Sequence, residues 1–155
     1  DKARIRLRFI GDRSAFSAEL QAGMLRAEAV TAEHKRMTLV IAVNYGGQWD
    51  MAQAARRLAE QVAAGQLAPE AITAAMLGEQ VELADEPAVD LLIRTGGELR
   101  VSNFVLWQSA YAEYYFSDVL WPDFGHAHLH AALDDFTQRQ RRFGRTSEQI
   151  EAIHA

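Results

Sequence analysis

An α/β fold, with a parallel sheet flanked by helices, is predicted by three features of the sequence. Three apolar runs of strand length, Ile5 to Ile10, Met37 to Val43 and Val89 to Ile93, alternate with segments whose apolar residues recur at helical spacing. Strands separated by helical crossovers pair in parallel. Two of the runs end in glycine pairs, Asn44-Tyr45-Gly46-Gly47 and Arg94-Thr95-Gly96-Gly97. In such folds ligands collect beyond the carboxyl ends of strands, so the site is expected where these two turns meet.

The first run, Ile5-Arg6-Leu7-Arg8-Phe9-Ile10, turns from alternating to fully apolar, as in a strand covered on both faces. Gly11-Asp12 marks a turn. A helix is predicted from Ser14, with Phe16, Leu20, Met24 and Ala27 on one side. Polar residues 31 to 36 form a loop before the second strand. Asp50 is predicted to cap the next helix, with Gln53 completing a variant capping box. Its buried face holds Met51, Ala54, Ala55, Leu58 and Val62, and Gly65 ends it. Pro69 opens a short helix to Leu77, and residues 78 to 88 are read as a surface loop.

After the third strand, Ser102 is predicted to cap a helix from Asn103 to Phe116, and Trp121-Pro122-Asp123-Phe124 makes a turn. A final helix spans roughly His128 to Phe143, with Leu129, Ala132, Leu133, Phe136 and Phe143 inward and Gly144 past its end. The whole reads as a single α/β domain over residues 1–144 with a flexible tail over 145–155.

The 155 residues suffice for one sizeable core, and 49% hydrophobic with 24% charged residues is an ordinary globular composition. A net charge of -5 argues against a broad nucleic-acid-binding surface and leaves local arginine clusters as specific anion sites. With no cysteine there is no disulfide framework, no thiolate nucleophile and no Cys-based zinc site. No apolar run is long enough to span a bilayer, and no signal-peptide pattern occurs.

Several groups of residues could carry chemistry. Arg94, Arg100 and Ser102 bracket the second glycine pair; two guanidinium forks and a hydroxyl suit a diphosphate, and equally suit a pair of surface arginines near a helix cap. Gly96 and Gly97 let backbone approach an anion closely. Glu113, set among Tyr111, Tyr114 and Tyr115, is either an oxygen ligand for Mg²⁺ or the solvent-facing acid of an amphipathic helix, with Asp90 and Asp123 weaker candidates of the same kind. Trp107, Tyr111, Tyr115, Phe116, Trp121 and Phe124 suit core and interface better than a lipid tunnel. Of His126, His128 and His130 only the first and last share a helix face, which falls short of a zinc site. Arg141 and Arg142 are either a solvated helix end or a second phosphate clamp.

An ordered set of segments resembles the cis-prenyltransferase family, most of all its bacterial members. It comprises Arg94-Thr95-Gly96-Gly97-Glu98, Arg100, Ser102-Asn103-Phe104, Trp107-Gln108, Tyr111-Ala112-Glu113 and Trp121-Pro122-Asp123-Phe124. Asn44-Tyr45-Gly46-Gly47 with Trp49-Asp50, and Arg141-Arg142-Phe143-Gly144, fit the same family, so the resemblance runs from Ile5 to Gly144. It implies that isopentenyl diphosphate units are added to farnesyl diphosphate with a cis double bond at each step, giving the lipid carrier precursor for cell-wall synthesis.

The resemblance further implies that Arg94, Arg100 and Ser102 hold isopentenyl diphosphate. Glu113 helps place Mg²⁺ for its own or the partner subunit's site, and Ile5 and Met37 line a hydrophobic tunnel. Gly96, Gly97, Arg141 and Arg142 are further phosphate contacts. A cytoplasmic homodimer, peripheral to the inner membrane and touching it to release product, is implied as well.

Two departures from the family pattern stand out. Leu99 replaces a histidine frequent in bacterial members. The family's Asp-Gly-Asn-Gly-Arg-Trp motif, whose aspartate is the central metal and diphosphate residue, and its Ser-Glu-Asn-Trp segment do not occur in these 155 residues. The chain is therefore expected to match the carboxy-terminal three-fifths of the family, without the amino-terminal part of the fold, and to be inactive alone. The alternatives are a non-catalytic partner subunit and a phosphate-binding α/β module unrelated to prenyl lipids.

Overall fold

A computed structural model describes residues 4–139. They pack as two compact units. The first holds residues up to Pro87 together with Asn103–Trp107; the second holds Ala88–Ser102 and the residues from Gln108 onward. The expectations for Arg141, Arg142, Phe143, Gly144 and the tail lie outside the described residues.

In the first unit β1 (Ile5–Ile10) pairs in parallel with β2 (Met37–Ala42), Ile5 opposite Met37 and Ile10 opposite Ala42. Between them runs α1 (Ala18–Thr31). The predicted start at Ser14 is corrected: Asp12 Oδ1 accepts from Ser14 N at 3.0 Å and caps a 3-10 turn over Arg13–Ala15, and Ser17 caps α1. Of the predicted apolar face only Met24 is fully buried, while Leu20 is exposed.

Side chains close the free edge of β1. Leu7 N donates to Thr31 Oγ1 at 3.0 Å and Phe9 N to Glu28 Oε1 at 2.8 Å. Arg13 Nη2 donates to Phe9 O at 2.5 Å, and His34 Nδ1 lies 3.0 Å from Ile5 O. A strand edge left open would strand these backbone groups. The first strand, expected to be covered on both faces, is fully buried only at Ile10, and in β2 the apolar residues Met37, Leu39 and Ile41 are exposed.

The next helix, α2 (Gly47–Ala63), begins earlier than predicted, with Gly46 rather than Asp50 as N-cap. Its first amides are satisfied by Asn103. Gly47 N donates to Asn103 O at 2.7 Å and Gln48 N to Asn103 Oδ1 at 2.8 Å. Both glycines are required here, because a Cβ on Gly46 would fall 2.7 Å from Asn103 Nδ2 and one on Gly47 2.6 Å from Leu106 Cγ. Ala54 and Leu58 bury the helix face, and Ala55 is exposed. Gly65, at φ +71°, follows its end as predicted. The predicted helix from Pro69 resolves into a 3-10 turn (Pro69–Ala71) and α3 (Ala74–Gly78), capped by Thr73.

In the second unit β3 (Leu91–Arg94) pairs in parallel with β4 (Glu113–Phe116). The predicted helix from Asn103 to Phe116 does not form. Ser102, Asn103 and Val105 have φ of 52°, 64° and 38°, a left-handed run that no right-handed helix accommodates. Serine and asparagine compete with helix by bonding nearby backbone, and Tyr114-Tyr115-Phe116 has strong strand preference. Ser102 is thus no helix cap, and Glu113 sits on a strand.

Beyond a 3-10 turn (Trp121–Asp123) lies α4 (His126–Thr137). Ala132 is its one fully buried residue among those described, and Leu129 and Leu133 are exposed against expectation. The Nε2 atoms of His126 and His130 are 3.1 Å apart, and His128 instead accepts from Gly125 N at 3.1 Å through Nδ1.

The role of Asn103 is testable. Replacing it with Ala removes the Oδ1 acceptor at the start of α2, and the expected loss is about 1 kcal/mol of stability, read as a lowered denaturant midpoint. Asn103→Asp retains the acceptor and should lose less.

Candidate active site

The turn after β3 is strapped to the segment that follows β4. Gly96 N donates to Val119 O at 2.9 Å, Gly97 N to Ser117 O at 3.0 Å, and Ser117 N to Arg94 O at 2.8 Å. Gly96 and Gly97 hold φ of +85° and +73°, which only glycine adopts without strain. The expectation that these amides grip an anion is thereby modified, because both already have carbonyl partners. Open approach remains at Gly96, where nothing lies within 4 Å of a Cβ position, whereas at Gly97 Asp118 Oδ1 lies 3.5 Å from it.

Arg94 closes β3 and is half-buried. Arg100 is largely exposed and ion-paired with Glu98. Gly97, Glu98, Leu99 and Arg100 line a recess of about 330 Å³. Ser102 follows on the surface in left-handed geometry.

Glu113 does not stand beside this turn. The register sets it opposite Leu91, with Arg94 opposite Phe116. Three residues of strand, at about 3.3 Å each, separate the Glu113 level from that of Arg94 by about 10 Å. Glu113 Oε2 instead accepts from Arg139 Nη1 at 3.0 Å. The same Nη1 donates to Tyr114 O at 2.9 Å, and Nη2 lies 2.5 Å from Asp135 Oδ2. The hydrogen bond to Glu113 is the main reason Arg139 holds its proton more firmly than usual, with slight burial opposing and Asp135 assisting. Tyr111 and Trp121 are exposed, and Trp121 stacks on Phe124 with ring centroids 6.4 Å apart.

In the first unit a recess of about 460 Å³ is lined by Arg4, Ile5, Leu7, Val30, Thr31, His34 and Leu39. Ile5 is thus on its wall, and Met37 pairs with Ile5 across the sheet. The Asn44-to-Gly47 turn also belongs to this unit, whereas the Arg94-to-Gly97 turn belongs to the other. Behind the former, buried Asp50 accepts from Tyr45 Oη at 2.8 Å and from Glu82 N at 2.8 Å.

The family model described as "Putative undecaprenyl diphosphate synthase" matches residues 1–144. The chain belongs to this family. It is 62% identical over 152 residues to the ditrans,polycis-undecaprenyl-diphosphate synthase, (2E,6E)-farnesyl-diphosphate specific, of Pseudomonas putida, covering 98% of this chain and 61% of that protein. The enzyme of the same description from Pseudomonas aeruginosa is 60% identical over the same shares. The chain therefore spans about three-fifths of the length of these relatives.

Among solved structures, lavandulyl diphosphate synthase from Lavandula x intermedia, in complex with dimethylallyl diphosphate, superposes with a TM-score of 0.85 at 39% identity. That match covers 91% of this chain and 61% of the other. A structure described as "a probable undecaprenyl diphosphate synthase" from Campylobacter jejuni gives 0.81 at 31% identity, over 93% and 65%. These likenesses fit the α/β class with parallel strands flanked by helices.

The expected Mg²⁺ would need oxygen ligands. No group of three or more His, Cys, Asp or Glu is placed to hold a metal ion among the described residues. Glu113 offers a single carboxylate on a partly exposed strand. That fits Mg²⁺, which takes one or two carboxylates and completes its shell with water and substrate phosphates. Arg139 and Glu82 went unnoticed in the sequence, and Asn103 was read only as a helix start and part of the family pattern; asparagine's tolerance of left-handed backbone could have pointed to its role.

Burial, reinforced by the charge of Asp50, holds the Glu82 carboxyl above its usual range despite Arg57 and the Gly11 amide. A carboxyl whose folded value is raised costs stability when ionised, so that cost is present above the folded value and vanishes as pH falls below the unfolded one. Glu82→Gln should therefore raise the melting temperature at pH 8, with the gain fading as pH falls toward the ordinary value of 4.5. A constant gain across that range would contradict the assignment.

Proposed function

We propose that this protein is an undecaprenyl diphosphate synthase, elongating farnesyl diphosphate with isopentenyl diphosphate through cis condensations. The observation that carries this reading is the turn after β3, where Arg94 ends a parallel strand, Gly96 leaves open space, and Gly97 and Arg100 line a recess with Glu98 and Leu99. Strand-end placement is where such folds bind ligands, and two arginines supply charge-assisted donors for a diphosphate. Ser102 adds a hydroxyl, and Arg141 and Arg142 are assigned as further phosphate contacts from the family pattern.

The polyprenyl chain is assigned to the recess walled by Ile5, with Met37 beside it, because both present apolar surface. Mg²⁺, when bound, neutralises charge on diphosphate oxygens. Glu113 is proposed as its protein ligand.

The separation of Glu113 from Arg94 along the sheet supports a homodimer in which each Glu113 serves the partner's site. No helix of the described residues is long and apolar enough to cross a membrane. Cytoplasmic residence with transient membrane contact for product release is part of the same proposal.

The reading is tested by calorimetric binding of isopentenyl diphosphate. Arg94→Ala and Arg100→Ala should each weaken it roughly 10- to 100-fold, the value of a charge-assisted hydrogen bond. Unchanged binding in both would remove the cradle. Sharing of Glu113 is tested by mixing subunits. In the full-length enzyme, with the family's aspartate motif present, a dimer of one Glu113→Gln subunit and one Arg94→Ala subunit should regain one working site, whereas a Glu113 serving its own subunit would leave both sites dead.

A further inference from the structure

The most connected charged group near the proposed metal ligand is one that neither the motif set nor the expected site contains. Arg139 leaves the end of α4 and turns its guanidinium onto β4. One nitrogen, Nη1, bridges Glu113 Oε2 and the carbonyl of the next residue, Tyr114, at 3.0 and 2.9 Å. The other, Nη2, is fixed by Asp135 four residues back on the helix. A flexible glutamate is thereby tied to its own strand by a guanidinium that is itself tied at two further points.

The charges also matter. Arg139 is flanked by two carboxylates, so the trio of Glu113, Arg139 and Asp135 carries a net charge of about -1 and still attracts a cation. Among the described residues the side-chain contacts of Glu113 run through Oε2 alone, which leaves Oε1 as the ligand atom. Carboxylates that bind metals are themselves held by hydrogen bonds, and losing such a partner typically weakens metal binding about 10- to 100-fold.

We propose that Arg139 is a positioning residue for Glu113, locking one carboxylate oxygen so that the other is presented to a divalent cation. This rests on the reading of Glu113 as a metal ligand. Arg139 touches neither metal nor substrate and acts only through Glu113.

The test is Mn²⁺ binding to the protein with inorganic diphosphate at fixed concentration, read by water-proton relaxation and so independent of turnover. Glu113→Gln should abolish the bound-ion signal. Arg139→Gln should weaken binding about tenfold, and Arg139→Lys, which keeps a donor but loses the fork, should recover part of it. The double variant Glu113→Gln/Arg139→Gln should match Glu113→Gln alone, because a residue acting through another adds nothing once that partner is gone.

If Glu113→Gln abolishes binding while Arg139→Gln and Arg139→Lys bind as the parent does, or tighter, the proposal is overturned and the metal reading stands. If Glu113→Gln binds as the parent does, the metal reading itself falls and takes the proposal with it. A lowered melting temperature in Arg139→Gln with parental Mn²⁺ affinity would assign the arginine a purely structural role.

Discussion

The parallel register of β3 and β4 governs the second unit. Parallel strands cannot be joined by a tight turn, so residues 95–112 must travel back along the sheet before β4 begins. That return places the charged residues at different levels: Arg94 at the carboxyl end of β3 and Glu113 at the amino end of β4. A hairpin would have brought the end of one strand to the start of the next. The offset between the two backbone positions is therefore built into the chain's topology.

The same demand for backbone partners shapes the turns. Gly96 and Gly97 donate their amides to Val119 and Ser117 respectively, and the start of α2 donates two to Asn103. Each site that looks like an anion-binding helix end or glycine nest is thus partly satisfied from within. The rigidity gained has a chemical consequence, since an anion at such a turn would have to find its donors in side chains. On β1 the substitution runs the other way: Thr31, Glu28, Arg13 and His34 stand in for a neighbouring strand. Burial pushes the Glu28 carboxyl up, but hydrogen bonds from Arg13 and Phe9 N outweigh it and hold the group below its usual range.

Strands β1 and β2 and the end of α2 near Gly65 were legible in the sequence, because apolar runs and glycine signals are local. The surface loop expected over residues 78–88 was legible only in part, since Val81 is buried and Glu82 N bonds to buried Asp50. The segment from Ser102 to Phe116 was not. Its aromatic spacing suits a helix, and nothing local reveals that Ser102, Asn103 and Val105 adopt left-handed backbone. Asp50 misled for a related reason: an acid near a helix start resembles a cap, yet here it is buried and bonded to Tyr45 and Glu82. The arginines and Glu113 were identified by type, but their separation depends on strand register, a long-range property. Arg139 could not be found at all, since its meaning arises from partners 25 and 26 residues away.

The pairing of Arg100 with Glu98 bears on how the cradle would work. Both side chains are largely exposed, at 70% and 42%, and exposed ion pairs contribute only about 0.2–1 kcal/mol. A hydrogen bond to a charged group in a more sheltered place contributes about 1.5–3 kcal/mol. On the proposed reading a diphosphate oxygen would displace Glu98 from Arg100 at small cost, and until then the carboxylate holds the guanidinium beside the recess.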